Sequence, residues 1–541
     1  MIDDVLGVLE VFRIRFAGRP VLLCLGILAI LLLTRRASAR SRSSRDWSTT
    51  AAIVTSVVAL VALLSYPSAV IWYASDPHFF DNAEPVMPIV GWLFHAGRPV
   101  YPAVDAAERY AHIYGPLAFI AHGWVLGFLG PSILVSKGLG AAAGLLSLVF
   151  TYFLARRHVR RPLATVLTGL CALLLLLFRH YSFWTRPEPL QLLAVSSSLF
   201  FATMRSGYVG AALSGVAMGV LWNLKITGPI YTLPVFVLLY SRGGWKSCMA
   251  AAALALGVAS FPFVYYDNVS WPQYLAWLRL SGSTGLLLST LRQNLEWAIY
   301  LCLPLVLSYY AVPRSARPRS REWRNMLAAV VLGVTGVVIA AAKPGAGPYH
   351  LIPFLPIIMF IVAWHLAGLS PGAIGDLHVA PVALAFVITA VLIADAQEAQ
   401  FLTTMRQRDR IGESDDITQF ADSHPGVVAM GYGSTESLSL ERPVLAFRYN
   451  SYLLDQPAIR EHQLQGLDLP AATLQAIAEC RVNYWLIPKG EAPFSGRNSY
   501  SAVLLRPLYP DEFRRVFEQT HSIVGTTTYY DVWQCHGSPT R

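Results

Sequence analysis

The feature that most constrains this chain is a succession of long apolar runs separated by short tracts in which the arginines gather. Ala51–Tyr73 is the clearest run and holds no charge. Ile133–Ala155, Met249–Tyr265, Met326–Ala342 and Val379–Ala394 are similar in length and character. An α-helix needs about 20 apolar residues to cross a bilayer. Spanning segments must satisfy their own backbone hydrogen bonds, and these runs are too long and uniform for barrel strands. Composition agrees: only 14% of the 541 residues are charged, where a soluble chain carries about 25%. The chain reads as an α-helical polytopic membrane protein.

The basic tracts give the runs a direction. A formal charge of +10 invites a nucleic-acid partner, but the cations sit between apolar runs, where they fix topology. The run Pro20–Leu33 is short and resembles a secretory leader. However, a leader places its cations first, whereas here Asp3, Asp4 and Glu10 precede the run and Arg35, Arg36, Arg40, Arg42 and Arg45 follow it. It reads as a first membrane helix, or an in-plane one, ending on the cytoplasmic side. Ala51–Tyr73 then runs outward. Further spans are Leu163–Leu177, Leu190–Met204, Val209–Trp222, Pro229–Leu239, Ala298–Val312 and Ile352–Leu366, for about 11–12 transmembrane helices in all. This count puts Arg156–Arg161, Arg242 with Lys246, and Arg314–Arg324 all inside. Pro116–Leu129 is too short to span and reads as an interfacial or re-entrant helix. Trp271, Tyr274, Trp277 and Leu278 suggest an amphipathic helix with aromatic anchors at the membrane surface.

Three parts follow. Residues 1–48 form an N-terminal helix and basic loop. Residues 49–395 form the membrane part, with a long first external loop at 74–131. Residues 396–541 form a small α/β domain on the extracytoplasmic face, with strands expected at Val427–Met430, Val444–Phe447 and Val482–Ile487 and helices at Ala471–Glu479 and Asp511–Gln519. The compartment expected is the inner membrane of a bacterium. No CxxC spacing suggests zinc. Cys24, Cys171, Cys248 and Cys302 lie in apolar runs and read as small hydrophobes. Outside the cytosol, Cys480 and Cys535 can pair.

The polar irregularities gather on the outer face. Asp76, Asp81 and Glu84 follow directly on a membrane run, where carboxylates are costly. Asp81 and Glu84 would share a face if helical, and a carboxylate at a membrane surface can serve as general base toward a hydroxyl. Arg186-Pro187-Glu188 opens a span. Lys225 lies in the break Trp222–Pro229, and Lys343 and His350 in the glycine- and proline-rich break Lys343–His350. Lysine is a point charge suited to phosphate. The bland alternatives are a solvated loop, an interfacial charge pair and hairpin turns with anchoring lysines. A carboxylate cluster opposite several cations suits a reaction on a lipid-linked phosphate sugar.

On these residues the chain resembles the polytopic GT-C glycosyltransferases, in particular the bacterial group with the protein O-mannosyltransferases and the lipid A aminoarabinose transferase. The resemblance rests on Phe80-Asp81-Asn82-Ala83-Glu84, Gly97-Arg98-Pro99-Val100-Tyr101, Tyr114-Gly115-Pro116-Leu117, Arg186-Pro187-Glu188, Leu224–Gly228 and Lys343–Pro353, in that order and on one face. It implies a GT-C-like fold, an inverting transfer and a polyprenyl-phosphate sugar donor. The acceptor would be an envelope glycan, lipid or protein, and membrane lipids would be further partners. It implies Asp81 as base, with Glu84 or Asp76 as alternatives, because two residues separate Asp81 from Glu84 where many relatives have adjacent acids. Arg186, Lys225 and Lys343 would meet the donor phosphate, with Arg98, Tyr114, Glu188 and His350 in the substrate site. No cofactor is implied, although the loop carboxylates leave room for a divalent metal. The absence of Trp-Trp-Asp argues against oligosaccharide transfer to asparagine, and the absence of DxD favours a lipid-linked donor. A lipid-linked sugar flippase or other transporter would more often show inverted repeats or helices broken at the midplane. A non-catalytic envelope scaffold would not need carboxylates facing cations.

Overall fold

The computed structural model describes residues 18–38, 44–367, 379–407, 412–434, 439–498 and 506–536. Of the expected N-terminal basic loop, Arg40 and Arg42 lie outside the described residues. In chain order the helices of the membrane part are α1 (Pro20–Ser38), α2 (Ser44–Ser75), α3 (Val86–His95), α4 (Pro116–Leu129), α5 (Ile133–Arg156), α6 (Arg161–Leu176) and α7 (Pro187–Ala202). They continue with α8 (Gly207–Leu224), α9 (Leu233–Tyr265), α10 (Trp271–Ser281), α11 (Leu288–Ala311), α12 (Arg321–Ala340), α13 (Leu355–Leu366) and α14 (Ala380–Gln407). Among the described residues, seven helices are long and apolar enough to cross a membrane: α2, α5, α8, α9, α12, α14 and the 348–366 helix that ends in α13. The other expected spans fall on α1, α6 and α7, which offer shorter apolar stretches, and on α11, which carries Arg292 and Glu296.

Two expected spans, Pro229–Leu239 and Met249–Tyr265, lie mostly in the single helix α9. Gly244 interrupts it at φ 66°. The Cys248 thiol donates to the Phe236 carbonyl at 3.6 Å, whereas a continuous helix would hold these residues about 18 Å apart. The chain therefore doubles back at Gly244, and the two arms are separate helical pieces.

The loop at 74–131 is built rather than loose. α3 and α4 pack together around Val86, Val90, Leu93, Ala118 and Phe119. The other face of α4 exposes Trp124, Phe128 and Leu129. The aromatic anchors of α10 differ from expectation. Trp271 is exposed, but Tyr274 and Trp277 are buried. Trp277 donates to the Pro102 carbonyl at 2.9 Å and stacks on His462. An indole N–H needs a partner when buried, and here the loop supplies it instead of the membrane surface.

The C-terminal region carries α15 (Glu413–Ser423), β1 (Val428–Met430), α16 (Arg442–Tyr449), α17 (Gln456–Leu464), α18 (Ala471–Ala478), β2 (Tyr484–Pro488), α19 (Asp511–Thr520), β3 (His521–Thr526) and β4 (Tyr530–Cys535). The sheet order is β1-β2-β4-β3; β1 runs parallel to β2 and the other pairings are antiparallel. Val444–Phe447, expected as a strand, is helical within α16. Pro443 at the first turn presets φ for a helix, and Asn450 in the left-handed region (φ 49°) ends it. Cys480 and Cys535 form a disulfide between the end of α18 and β4. The region sits on the 74–131 loop: Arg109 N–H donates to the Leu453 carbonyl at 2.7 Å, and Asp455 N–H to the Arg109 carbonyl at 3.0 Å.

Candidate active site

The acidic stretch forms a series of turns between α2 and α3. Asp76 accepts from His78 N–H at 2.8 Å and so caps its own turn. The Lys137 ammonium, fully buried on α5, donates to the carbonyls of Asp76 and His78 at 2.8 Å each. It also lies over the rings of Tyr73 and Phe80 at 4.2 and 4.4 Å. Lys137 was not singled out from the sequence, yet a charge inside an apolar run is a readable signal.

Asp81 and Glu84 do not share a helical face; they close one turn, in which Glu84 N–H donates to the Asp81 carbonyl at 3.1 Å. Glu84 is fully buried. Its carboxylate accepts from the Tyr73 hydroxyl, from the Thr185 hydroxyl at 3.1 Å and from Asp81 N–H at 3.2 Å. His180 Nε2 stands 3.4 Å away. Burial pushes Glu84 up, but His180, Lys137 and Tyr73 outweigh it and leave the carboxyl below its ordinary value. Asp81 is only half-buried, and its carboxylate accepts from Ala83 N–H at 2.8 Å. Its charge reaches Tyr181 and Arg186.

The cations form a second group. Lys225, at the end of α8, pairs with Glu188 at 2.7 Å and approaches His350 Nδ1 at 3.5 Å. Trp184 Nε1 donates to the other Glu188 oxygen at 3.0 Å. Arg186 donates to the Tyr114 hydroxyl and lies over the Trp184 ring at 4.5 Å. Tyr114 and Tyr349 both flank the Lys225 ammonium, at 5.2 and 5.7 Å. Burial pulls the Lys225 ammonium below its ordinary value; Glu188 opposes that, and Arg186 adds to it. Arg186 Nε is buried with no hydrogen-bond partner among the described residues, which is unusual for a native polar group. Arg186, Glu188, Lys225, Tyr114 and His350 thus come together as expected from their order in the chain. Thr185 joins the two groups, since it bonds Glu84 and directly precedes Arg186.

Two glycines permit this assembly. A Cβ on Gly115 would stand 1.6 Å from the Asn223 carbonyl oxygen, and one on Gly140 would stand 1.9 Å from the Trp184 carbonyl oxygen. Gly115 N–H donates to the Leu224 carbonyl, and Leu117 N–H to Asn223 Oδ1. The start of α4 is therefore docked against the Lys225 break, which places Tyr114 beside Lys225.

Lys343 and Arg98 lie apart from this cluster. The Lys343 ammonium donates to the Ser281 carbonyl at 3.0 Å and ties the 343–350 break to α10. Arg98 is exposed just past α3. Among the described residues, no three His, Cys, Asp or Glu side chains are grouped to hold a metal. An apolar cavity of about 570 Å³ opens beside Gly115 and Asn223, lined by Trp222, Ile226, Phe263, Val264 and Trp271. A larger one of about 660 Å³ lies among Phe236, Arg321 and Glu322, by the basic tract and away from the cluster. Trp184, Tyr349, Thr185, Tyr73 and His180 were missed from the sequence, where Tyr73 closes an apolar run and the others read as ordinary aromatic and polar residues of turns.

No protein-family model matches the sequence, and no curated protein matches it. Among solved structures, the chain is similar to ArnT from Cupriavidus metallidurans in its apo state, with a TM-score of 0.48 and 11% identity over 90% of this chain and 98% of that one. It is also similar to the same ArnT bound to undecaprenyl phosphate, with a TM-score of 0.50 and 12% identity over 92% of this chain and 100% of that one. From the membrane helices to the C-terminal sheet, this chain therefore has the polytopic GT-C-like fold of ArnT.

Proposed function

We propose that the protein is a membrane glycosyltransferase that moves a sugar from a polyprenyl-phosphate-linked donor to an envelope lipid, glycan or protein on the extracytoplasmic face. The observation that carries this reading is the pairing of two groups joined through Thr185: a half-buried carboxylate, Asp81, and an aromatic-walled cation site at Arg186 and Lys225. The two cations and the single carboxylate of Glu188 leave one net positive charge, apart from His350. That balance suits the phosphodiester of a lipid-linked sugar, which carries one negative charge. The fold shared with ArnT, and the undecaprenyl phosphate bound to that protein, support the same donor class.

In this mechanism the acceptor hydroxyl loses its proton to Asp81 as its oxygen bonds the anomeric carbon. The bond from that carbon to the phosphate oxygen breaks, and the configuration inverts. The leaving polyprenyl phosphate gains negative charge. Arg186, with its unpartnered Nε–H, and Lys225 stabilise that developing charge, which is where fixed cations act most strongly. Glu84 and Lys137 hold the turn that presents Asp81. The proposed organisation is a catalytic membrane part, 49–395, with an extracytoplasmic C-terminal domain in a bacterial inner membrane. Mass spectrometry of envelope glycans from a strain lacking the protein tests the function. Loss of one defined sugar addition supports it; an unchanged glycan profile contradicts it and favours a scaffold. Accumulation of the lipid-linked donor on the cytoplasmic leaflet alone favours a flippase.

A further inference from the structure

We infer that Arg442 and Asp455, in the C-terminal region, are positioning residues that set both Asp81 and Arg186 in place. This rests on the roles proposed above for those two side chains. Asp455 is fully buried and Arg442 nearly so, and every contact of the pair is directional. Asp455 Oδ1 accepts from Arg442 Nη2 at 3.1 Å and from the Tyr452 hydroxyl at 2.7 Å. Its Oδ2 accepts from His112 Nε2 and from Ala458 N–H, both at 3.0 Å.

Two arms leave this carboxylate. Along the first, the Arg442 fork grips Asn82, the residue after Asp81. Nη1 donates to Asn82 Oδ1 at 3.0 Å, and Nη2 to the Asn82 carbonyl at 2.6 Å. Along the second, the His112 ring stacks on Tyr114 with centroids 5.9 Å apart and planes 7° from parallel. Tyr114 in turn accepts from Arg186. One buried carboxylate thus orients a guanidinium toward the acid turn and an imidazole toward the cation site. A buried Asp–Arg pair is weak evidence of stabilisation by itself, since apolar replacements are often neutral. Its orientation is the informative part. The fork uses Nε, Nη1 and Nη2 at once, through Tyr452, Ser439, Asn82 and Asp455, and a lysine cannot reproduce that geometry.

The test uses the full chain in lipid nanodiscs with Arg442→Lys and Asn82→Ala. Arg442→Lys keeps the charge opposite Asp455, and Asn82→Ala leaves the Arg442–Asp455 pair intact, so at least one variant keeps the C-terminal fold. Turnover should fall on the order of 10- to 100-fold, because a displacement of about 1 Å at a reacting group has that effect. Both variants disturb the arm to Asn82 and leave the Asp455–His112 arm in place, so KM for the lipid-linked donor and binding of polyprenyl phosphate should stay near the wild-type values. Amides of residues 80–84 should exchange faster with solvent. A purely structural role would instead lower kcat only in step with the loss of folded protein. Unchanged turnover in both variants, or unchanged exchange at 80–84, overturns the inference. If the wild-type chain transfers no sugar, the proposed function fails, and the exchange measurement still decides whether Arg442 positions the turn.

Discussion

Glu84 accepts three hydrogen bonds in a buried site, so its removal is a structural injury first. Glu84→Gln leaves the Tyr73 and Thr185 hydroxyls competing for a neutral amide and removes the charge facing His180 and Lys137. Breaking such a buried charge arrangement costs about 3–5 kcal/mol. The expected outcome is a lower thermal midpoint and lower yield of folded protein, read by fluorescence-detected size exclusion during a temperature ramp. A Glu84→Gln chain as stable as wild type contradicts the anchor role. Lys225→Ala removes one cation and leaves Glu188 unpaired. Donor affinity should fall by about 10- to 100-fold, the scale of a lost charged hydrogen bond, with a smaller change for the acceptor. Titration with polyprenyl phosphate checks this; unchanged affinity removes Lys225 from the phosphate site.

At the scale of elements, the site depends on close approaches that side-chain chemistry alone does not reveal. Gly115→Ala drives a methyl into the Asn223 carbonyl and must shift the start of α4 away from α8. Such overpacking costs about 1–3 kcal/mol. It should displace Tyr114 from Lys225, so donor binding should weaken along with stability; equal donor affinity in folded Gly115→Ala protein contradicts the docking argument. The contact between the loop and the C-terminal region also carries a pH signature. Burial alone would lower His112, but the charge of Glu461 and the hydrogen bond to Asp455 raise it to about 9. Its ordinary value is 6.5, so its contribution is fully present below that and is lost as pH rises through about 9. Burial alone would raise Asp455, but Arg442 and His112 lower it to about 2. Its contribution is present above its ordinary 3.8 and is lost as pH falls through about 2. Thermal midpoints should therefore drop between about pH 7 and 9 in wild type. A flatter profile is expected for His112→Gln, and identical profiles in the two proteins contradict the assignment.

At the scale of the whole molecule, the helical polytopic architecture was legible because the apolar runs are long enough to read from length and composition alone. The two arms of α9 were separable because Arg242 and Lys246 fall at the turn. The order of Tyr114, Arg186, Glu188, Lys225 and His350 was legible as irregularities on one face. Lys343 carried the same signal, yet its charge is used on the Ser281 carbonyl, because a lysine at a turn can meet a backbone oxygen as readily as a phosphate. The difference between Asp81 and Glu84 was not legible, since it arises from Tyr73 and Thr185, which reach Glu84 from other parts of the fold. The same holds for Arg442, which lies more than three hundred residues from the Asn82 it contacts, and for its partner Asp455; both read as ordinary charges of a polar domain. Strand Val444–Phe447 failed because the apolar period suited either state and the flanking Pro443 and Asn450 decided it.

The central claim is that Asp81 is the base of a sugar transfer from a lipid-linked phosphate. Its most direct measurement is transfer from a radiolabelled polyprenyl-phosphate sugar by purified wild-type and Asp81→Asn protein in nanodiscs, with donor binding and thermal midpoint measured on the same samples. Loss of a general base slows turnover by about 10²–10⁴-fold. The account predicts that loss in Asp81→Asn, with donor affinity and stability close to wild type. Transfer at the wild-type rate by Asp81→Asn would contradict it.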